Sequence, residues 1–353
     1  MHNVAIIGGG FVGLQEAVLF AKHGYKVFII DVNHEIVERI NSKDVKYLHI
    51  KEKFVLDYWE VVKDRISAVS NYRVLRDENI RNIIIAVNTP VKIVGEALIR
   101  LLDIEDRRVD DYIDFFALEN VVSYLVKYVQ DKFYINSLVT IYPGGTRERI
   151  LRYLLEAGFA LDRDFYLTHT PERVDPGSSK YNVSNIPRVI GAPSENSLRY
   201  GVHFYRNIGV SLVPVDKLEV AEMSKIFENA WRFINIAFSQ ELFMSFDDAI
   251  KVIDASSTKP FGFMKFYPGP YIGGSCLVKD TIMYYCITGS EIARKALIIN
   301  ERFPRIYAER LYRIIKKRNA KRILFYGFGF KPGSPYYVSK ELNPVERVIS
   351  ELR

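Results

Sequence analysis

The apolar positions of the first forty residues fall into two short runs separated by a glycine turn and a helical pattern. Val4 to Ile7 is continuously apolar, an Ala/Leu-rich stretch at helical spacing follows the glycines, and "VFII" leads into Asp31. The pattern predicts strand, turn, helix and strand. "NIIIAVNTP" at 82–90 predicts another buried strand with Thr89 and Pro90 at its carboxyl end, and "SLVTIYPGGT" at 137–146 a third. Both loops are expected on the ligand-facing edge of such a sheet. Residues 91–130 are mostly helical in period and predict core-facing helix.

Farther on, prolines flank "TPERVDPG" at 170–177, which predicts a loop exposing Glu172 and Arg173. "VAEMSKIFENAWRFINIAFSQELF" at 220–243 predicts a long helix. On it Glu222, Lys225, Asn229 and Arg232 recur at steps of three or four and share a face. A charged stripe on a helix is usually solvated, but asparagine is a poor helix former to place there for solubility alone. "STKPFGFMKFYPGPYIGGSCLVKDT" at 257–281 then predicts a long Gly/Pro/aromatic loop that ends where a helix begins.

Composition narrows the reading. A chain of 353 residues predicts two or more domains, and 48% hydrophobic content fits ordinary globular packing. The net charge of +7 admits an anionic ligand, while basic and aromatic residues do not interleave as in a nucleic-acid module, so no nucleic-acid partner is expected. The densest basic run, 314–325, predicts the charged end of a surface helix leading into a strand. No apolar stretch approaches the roughly 20 residues of a membrane span, and the N-terminus lacks a basic leader region. With only Cys276 and Cys286, ten residues apart, neither a disulfide framework nor a metal site is expected, and a cytoplasmic setting is.

Two places carry chemistry. Gly8, Gly10 and Gly13 form G-x-G-x-x-G between a strand and a helix, with Phe11 and Val12 inside the pattern and Asp31 eighteen residues after Gly13. The first glycine permits the tight turn, the second lets a pyrophosphate approach and the third packs helix on sheet. A carboxylate at Asp31 accepts both ribose hydroxyls and repels a 2′-phosphate, so the expected cofactor is NAD. Cys276 follows Gly273, Gly274 and Ser275 at a helix start, where amide groups and the helix dipole favour a thiolate. Asp280 lies one turn on, and Cys286 in "MYYCITG" reads as an inert packing residue.

The glycine turn, "TPERVDPG", "AEMSKIFENAWRFINIAFSQEL" and "KPFGFMKFYPGPYIGGSC", in this order, resemble the UDP-glucose/GDP-mannose dehydrogenase family from residue 3 to about 335. The aromatic loop is most like members acting on UDP-N-acetylglucosamine or UDP-N-acetylmannosamine. "GGSCLVKDT" is closer to the UDP-glucose version. The resemblance implies an α/β chain: a Rossmann-like doubly wound domain (1–195), a central all-helical dimerisation domain carrying the cysteine loop (196–305) and a truncated remnant of a nucleotide-sugar-binding α/β domain (306–353).

It also implies a four-electron oxidation of a sugar C6 alcohol to the carboxylate with two NAD+, by a homodimer. Cys276 would capture the aldehyde as a thiohemiacetal and carry the thioester. Glu172 would activate water, Lys225 and Asn229 would stabilise the oxyanion, and Asp280 would hold Lys225 or a water. Thr140 would serve catalysis and the cofactor together. Glu172, Arg173, Lys225, Asn229, Arg232, Phe266, Tyr267, Gly273 and Lys331 would contact the UDP-sugar.

Four positions in two places depart from the family pattern. Leu138, Val139 and Thr140 stand where Glu-Ser-Thr is usual, and Tyr336 and Val338 occupy the acid and arginine positions after the Lys-Pro pair. The alternative is an impaired NAD-binding or nucleotide-sugar-binding subunit whose partner chain supplies the missing domain.

Overall fold

The computed structural model describes residues 2–48, 51–104, 108–130, 132–178, 180–330 and 337–352. In chain order its elements are β1 (Asn3–Ile7), α1 (Phe11–Lys22), β2 (Lys26–Ile30), α2 (His34–Asn41), α3 (Lys53–Val62), β3 (Ile66–Val69), α4 (Val74–Asp77) and β4 (Asn82–Ile85). There follow α5 (Glu96–Leu101), α6 (Val109–Tyr112), α7 (Phe116–Tyr128), β5 (Phe133–Ser137), α8 (Arg152–Glu156), β6 (Phe165–His169), β7 (Arg188–Ile190), α9 (Glu195–Arg206) and β8 (Leu212–Pro214). The chain then turns helical with α10 (Leu218–Ser245), α11 (Ala249–Ser256), α12 (Ser275–Thr288), α13 (Glu291–Lys317) and α14 (Pro344–Leu352). It divides into two compact units, Met1–Thr89 with Phe115–Lys225, and Pro90–Asp114 with Ile226–Arg353.

The first unit is a six-stranded parallel sheet in the order β3-β2-β1-β4-β5-β6. Its central strands are apolar without alternation because helices cover both faces. Val4, Ile6, Ile29 and Ile84 join Leu14, Val18, Phe20, Trp59 and Tyr205 in one buried core. The strand order reverses between β1 and β4, and ligands of such sheets sit outside the carboxyl ends of the strands at that reversal. A separate parallel pair, β7 and β8, completes the unit.

The expected strand at 137–146 is displaced: β5 is Phe133–Ser137, residues 138–144 form the loop beyond it, and helix begins at 145. The apolar residues Leu138, Val139 and Ile141 are buried all the same. Burial without alternation produced the strand-like reading, since periodicity cannot separate a buried loop from a buried strand. The helical stretch 91–130 is interrupted, and 90–114, with α5 and α6, clusters with the second unit. Residue 195 begins α9, which packs on β6 within the first unit, and residue 305 lies inside α13 of the second.

The second unit is helical. In it α12 and α14 pack on α13, α5 meets α13, and α6 meets α12. The basic run does close a helix, α13, at Lys317, but the strand expected after it is not formed. Residues 321–330 carry no regular secondary structure, with Leu324 87% and Tyr326 96% exposed. A strand exists through ladder bonds to a neighbour, and the described residues of this unit offer none. Among the described residues no helix is long and apolar enough to cross a membrane.

Candidate active site

The cofactor cradle is built by the turn between β1 and α1. Gly8 has φ +103° and its amide bonds Ile30 O at 2.9 Å, locking the turn to β2. A Cβ on Gly13 would stand 1.7 Å from Gly8 O, so only glycine lets α1 lie this close to the sheet. A Cβ on Gly10 would meet nothing within 4 Å. Phe11 and Val12 open α1, which has neither a side-chain cap nor an acidic residue in its first turn. The positive end of the helix therefore faces the space above Gly10, where a pyrophosphate fits. Asp31 follows β2; its Oδ2 accepts from Gly9 N at 2.6 Å and its Oδ1 from Asn33 N at 2.8 Å. Lone pairs remain on both oxygens for ribose hydroxyls.

These residues fit NAD. Gly10→Ala is expected to leave the fold intact, because the methyl group enters open space. NAD affinity falls by about tenfold or more as the methyl takes the diphosphate's place. Calorimetry and thermal melting of the variant check both halves.

At the carboxyl ends of β4 and β5, Thr89 donates from Oγ1 to Thr140 O at 3.0 Å, and both residues are buried. Pro90, next in sequence, opens the segment that belongs to the second unit. Glu172 is buried instead of exposed. Its Oε1 accepts from Arg173 N at 2.7 Å and Val174 N at 2.6 Å. A loop that folds a carboxylate back onto its own amides hides it from solvent, which proline spacing cannot foretell. Arg173 reaches Pro187 O from Nη1 at 3.0 Å.

The helix α10 carries the expected set. Glu222 is not part of a solvated stripe: at 1% exposure its carboxylate accepts from Gly144 N at 2.6 Å and Thr146 N at 2.8 Å. It thereby anchors the Gly-Gly turn that follows Thr140. Burial raises its pKa, opposed by the bonds from Thr146 and Gly144. Lys225 ends the first unit, and Asn229 lies one helical turn on, in the second. Arg232 is exposed.

In the second unit Asn229 Nδ2 donates to Asp280 Oδ2 at 2.5 Å, and Asp280 is fully buried. Asp280 was expected to hold Lys225 or a water, and the hydrogen bond described here goes to Asn229. Cys276 is exposed in the first turn of α12, behind Gly274 at φ +83°, while Cys286 is half-buried on the same helix. Gly273 is buried, and a Cβ there would lie 2.4 Å from Leu342 O. In the aromatic loop, Phe266 O accepts from Ser239 Oγ at 2.8 Å, and Tyr267 donates to Asp254 Oδ1 at 2.5 Å. Lys331 and Tyr336 lie outside the described residues.

Several buried groups escaped the sequence reading. Glu16 on α1 pairs with Arg188 on β7 at 2.7 Å, the glutamate fully buried and the arginine nearly so. Burial works against the charge of Arg188, but the carboxylates of Glu16 and Glu172 outweigh it and hold its pKa above the ordinary value. The signal was a lone glutamate in an otherwise apolar helical run. His169 is buried with Nδ1 3.3 Å from Thr146 Oγ1; burial, then the charge of Lys225, lowers its pKa to about 3.

A histidine held neutral in the fold binds its proton only on unfolding below its usual value near 6.5. Stability is therefore complete above about pH 6.5 and falls as pH drops toward 3. Urea unfolding at pH 7 and pH 5 is expected to show this loss, and His169→Asn to reduce it.

A family model described as the UDP-glucose/GDP-mannose dehydrogenase family NAD binding domain matches residues 2–209. The central domain of the same family matches 219–298. The UDP-N-acetyl-D-mannosamine dehydrogenase of Pyrococcus horikoshii is 28% identical over 350 residues, covering 94% of this chain and 77% of the relative. The UDP-N-acetyl-D-glucosamine 6-dehydrogenase of Salmonella typhi is 27% identical over 352 residues, covering 94% and 76%. The solved structure of the Pyrococcus horikoshii UDP-D-ManNAc dehydrogenase superposes with a TM-score of 0.78 at 26% identity, covering 90% of this chain and 73% of that one. With its dinucleotide cradle intact and more than half its length matched, the chain belongs to the UDP-glucose/GDP-mannose dehydrogenase family and is an NAD-dependent oxidoreductase.

Proposed function

We propose that the protein oxidises the C6 alcohol of a UDP-N-acetylhexosamine to the uronic acid. The overall balance is one alcohol, two NAD+ and one water giving one carboxylate, two NADH and three protons. The observation that carries the reading is Cys276: an exposed thiol at the head of α12, with Asp280 one turn behind it bonded to Asn229. The names of the relatives supply the substrate class.

NAD+, which the Gly8–Gly13 turn and Asp31 would hold, would supply the hydride acceptor. The Cys276 sulfur adds to the C6 aldehyde, forming a C–S bond and retaining the carbonyl as a thiohemiacetal, so that it does not escape between the two oxidations. Loss of the second hydride leaves a thioester, which water cleaves with return of the thiol. Glu172 takes the proton of that water; its Oε1 is held by two backbone amides, which leaves Oε2 for the transfer. Lys225 and Asn229, one turn apart on α10, stabilise the oxyanion, and Asp280 orients the Asn229 amide. Arg173, Arg232, Phe266, Tyr267, Gly273 and Lys331 contact the nucleotide sugar, and Thr140 contacts the nicotinamide.

The protein acts as a homodimer through α10. Phe227, Trp231 and Phe238 recur at steps of four and seven along one helical face and are exposed, Phe238 to 70%. Two cysteines outside any disulfide suit a cytoplasmic setting.

The test counts NADH per sugar consumed with UDP-N-acetylglucosamine, UDP-N-acetylmannosamine and UDP-glucose in separate reactions. Two NADH per UDP-N-acetylhexosamine is the expected result. Absence of turnover with all three while NAD still binds overturns it in favour of a binding subunit that works with a partner chain.

A further inference from the structure

The segment Gly269 to Gly274, which delivers the chain to Cys276, is tied down at nearly every residue. Gly269 O accepts from Gln240 Nε2 at 3.2 Å on α10. Ile272 N donates to Asn300 Oδ1 at 2.6 Å on α13, and Gly274 N donates to Leu342 O at 3.1 Å, just before α14. Behind Gly273 and Gly274 stand Leu342 O, the Pro344 ring and the Phe330 ring, close enough that a Cβ on either glycine would collide.

At the centre of this arrangement is a buried carboxylate, Glu301 of α13. Its Oε1 accepts from the Tyr271 hydroxyl at 2.7 Å. Its Oε2 accepts from Gly95 N at 2.9 Å, at the head of α5, and from Arg347 Nη2 of α14 at 2.6 Å. The Arg347 guanidinium also lies 4.9 Å from the centre of the Tyr271 ring. Burial and the neighbouring Glu301 carboxylate raise the Tyr271 pKa well above its usual value, so the phenol stays a donor.

We propose that Tyr271, Glu301 and Arg347 are positioning residues for the thiol: a clamp through which the C-terminal helix α14 holds the loop that presents Cys276. None of the three reaches the reacting atoms in this role. They act through the backbone of 272–274, whose amides are bonded on either side of the clamp. A charge-assisted bond in a buried site is worth more than a surface one. A lone glutamate so placed, with three donors converging on it, also has a single satisfied arrangement, so the loop has one geometry and not several. The 337–352 stretch accordingly serves the cysteine loop directly, whatever it does for the nucleotide. This deepens the proposed thioester route and rests on it for its kinetic consequence, although the structural part stands alone.

The experiment compares Tyr271→Phe, Arg347→Met and Arg347→Lys with the unaltered chain by amide hydrogen exchange and by turnover. Tyr271→Phe removes one hydroxyl and retains the ring. In it and in Arg347→Met, exchange at Ile272 and Gly274 is expected to quicken by about tenfold, with α13 and the first unit unchanged. Arg347→Lys restores protection in part.

In turnover, kcat falls with little change in KM, and NADH per sugar drops below two because the misplaced thiol lets aldehyde escape. Unchanged exchange at 272 and 274 in both variants overturns the clamp, and so does exchange that quickens evenly across the whole second unit. If the unaltered protein gives no turnover, the proposed oxidation fails, and the exchange measurement still decides the clamp.

Discussion

Cys276→Ser is expected to reduce complete oxidation to the uronic acid by about 10⁴-fold or more, since it removes the nucleophile on which the second oxidation and the hydrolysis both depend. The serine hydroxyl has nearly the same size and sits in the same exposed first turn of α12, so fold and NAD affinity are retained. A hydroxyl at neutral pH is a far weaker nucleophile than a thiolate. Residual product is expected to be free aldehyde, trapped by a carbonyl reagent, with at most one NADH per sugar. Full activity in the variant would mean that the thiol is dispensable, and one NADH per sugar from both proteins would mean a simple two-electron oxidation.

The second large effect is on stability. Arg188→Met is expected to cost about 3–5 kcal/mol, measured by urea unfolding, because it strands the fully buried Glu16 without its partner. Burial already raises the Glu16 pKa, and Arg188 is the main opposing influence. Without it the carboxyl takes up a proton instead of remaining charged. The double replacement Glu16→Met with Arg188→Met removes both desolvated charges and is expected to recover most of the loss. A double variant as unstable as the single one would show that Arg188 stabilises through its other contacts, the bond from Nη2 to Val183 O at 2.9 Å and the Tyr205 ring.

Much of the cofactor site was legible in the chain because each requirement is local. A strand, a tight turn at Gly8, a close approach at Gly13 and an acid after the next strand fall within thirty residues, and their spacing is set by backbone geometry. The long helix α10 and the helix start at Ser275 were legible for the same reason: period and glycine placement are short-range signals. The loop 138–144 was misread as a strand because burial, not pairing, made it apolar. The strand expected after residue 321 was misread in the opposite way, for its composition is strand-like and its pairing is absent.

What the sequence determined by itself is therefore the dinucleotide cradle, the helical register of Lys225 and Asn229, and the exposed setting of Cys276 among glycine, serine and lysine. Only the tertiary structure decided that Glu222 is an anchor for the Gly144 turn, that Glu172 folds onto its own amides, and that Glu16 meets Arg188 across 172 positions of chain. It alone decided that Arg347 reaches Glu301 beside the cysteine loop. The division follows from range. Backbone dihedrals and periodicity are fixed between near neighbours, whereas the partner of a buried charge is chosen by which distant segments the packed core brings within hydrogen-bond distance.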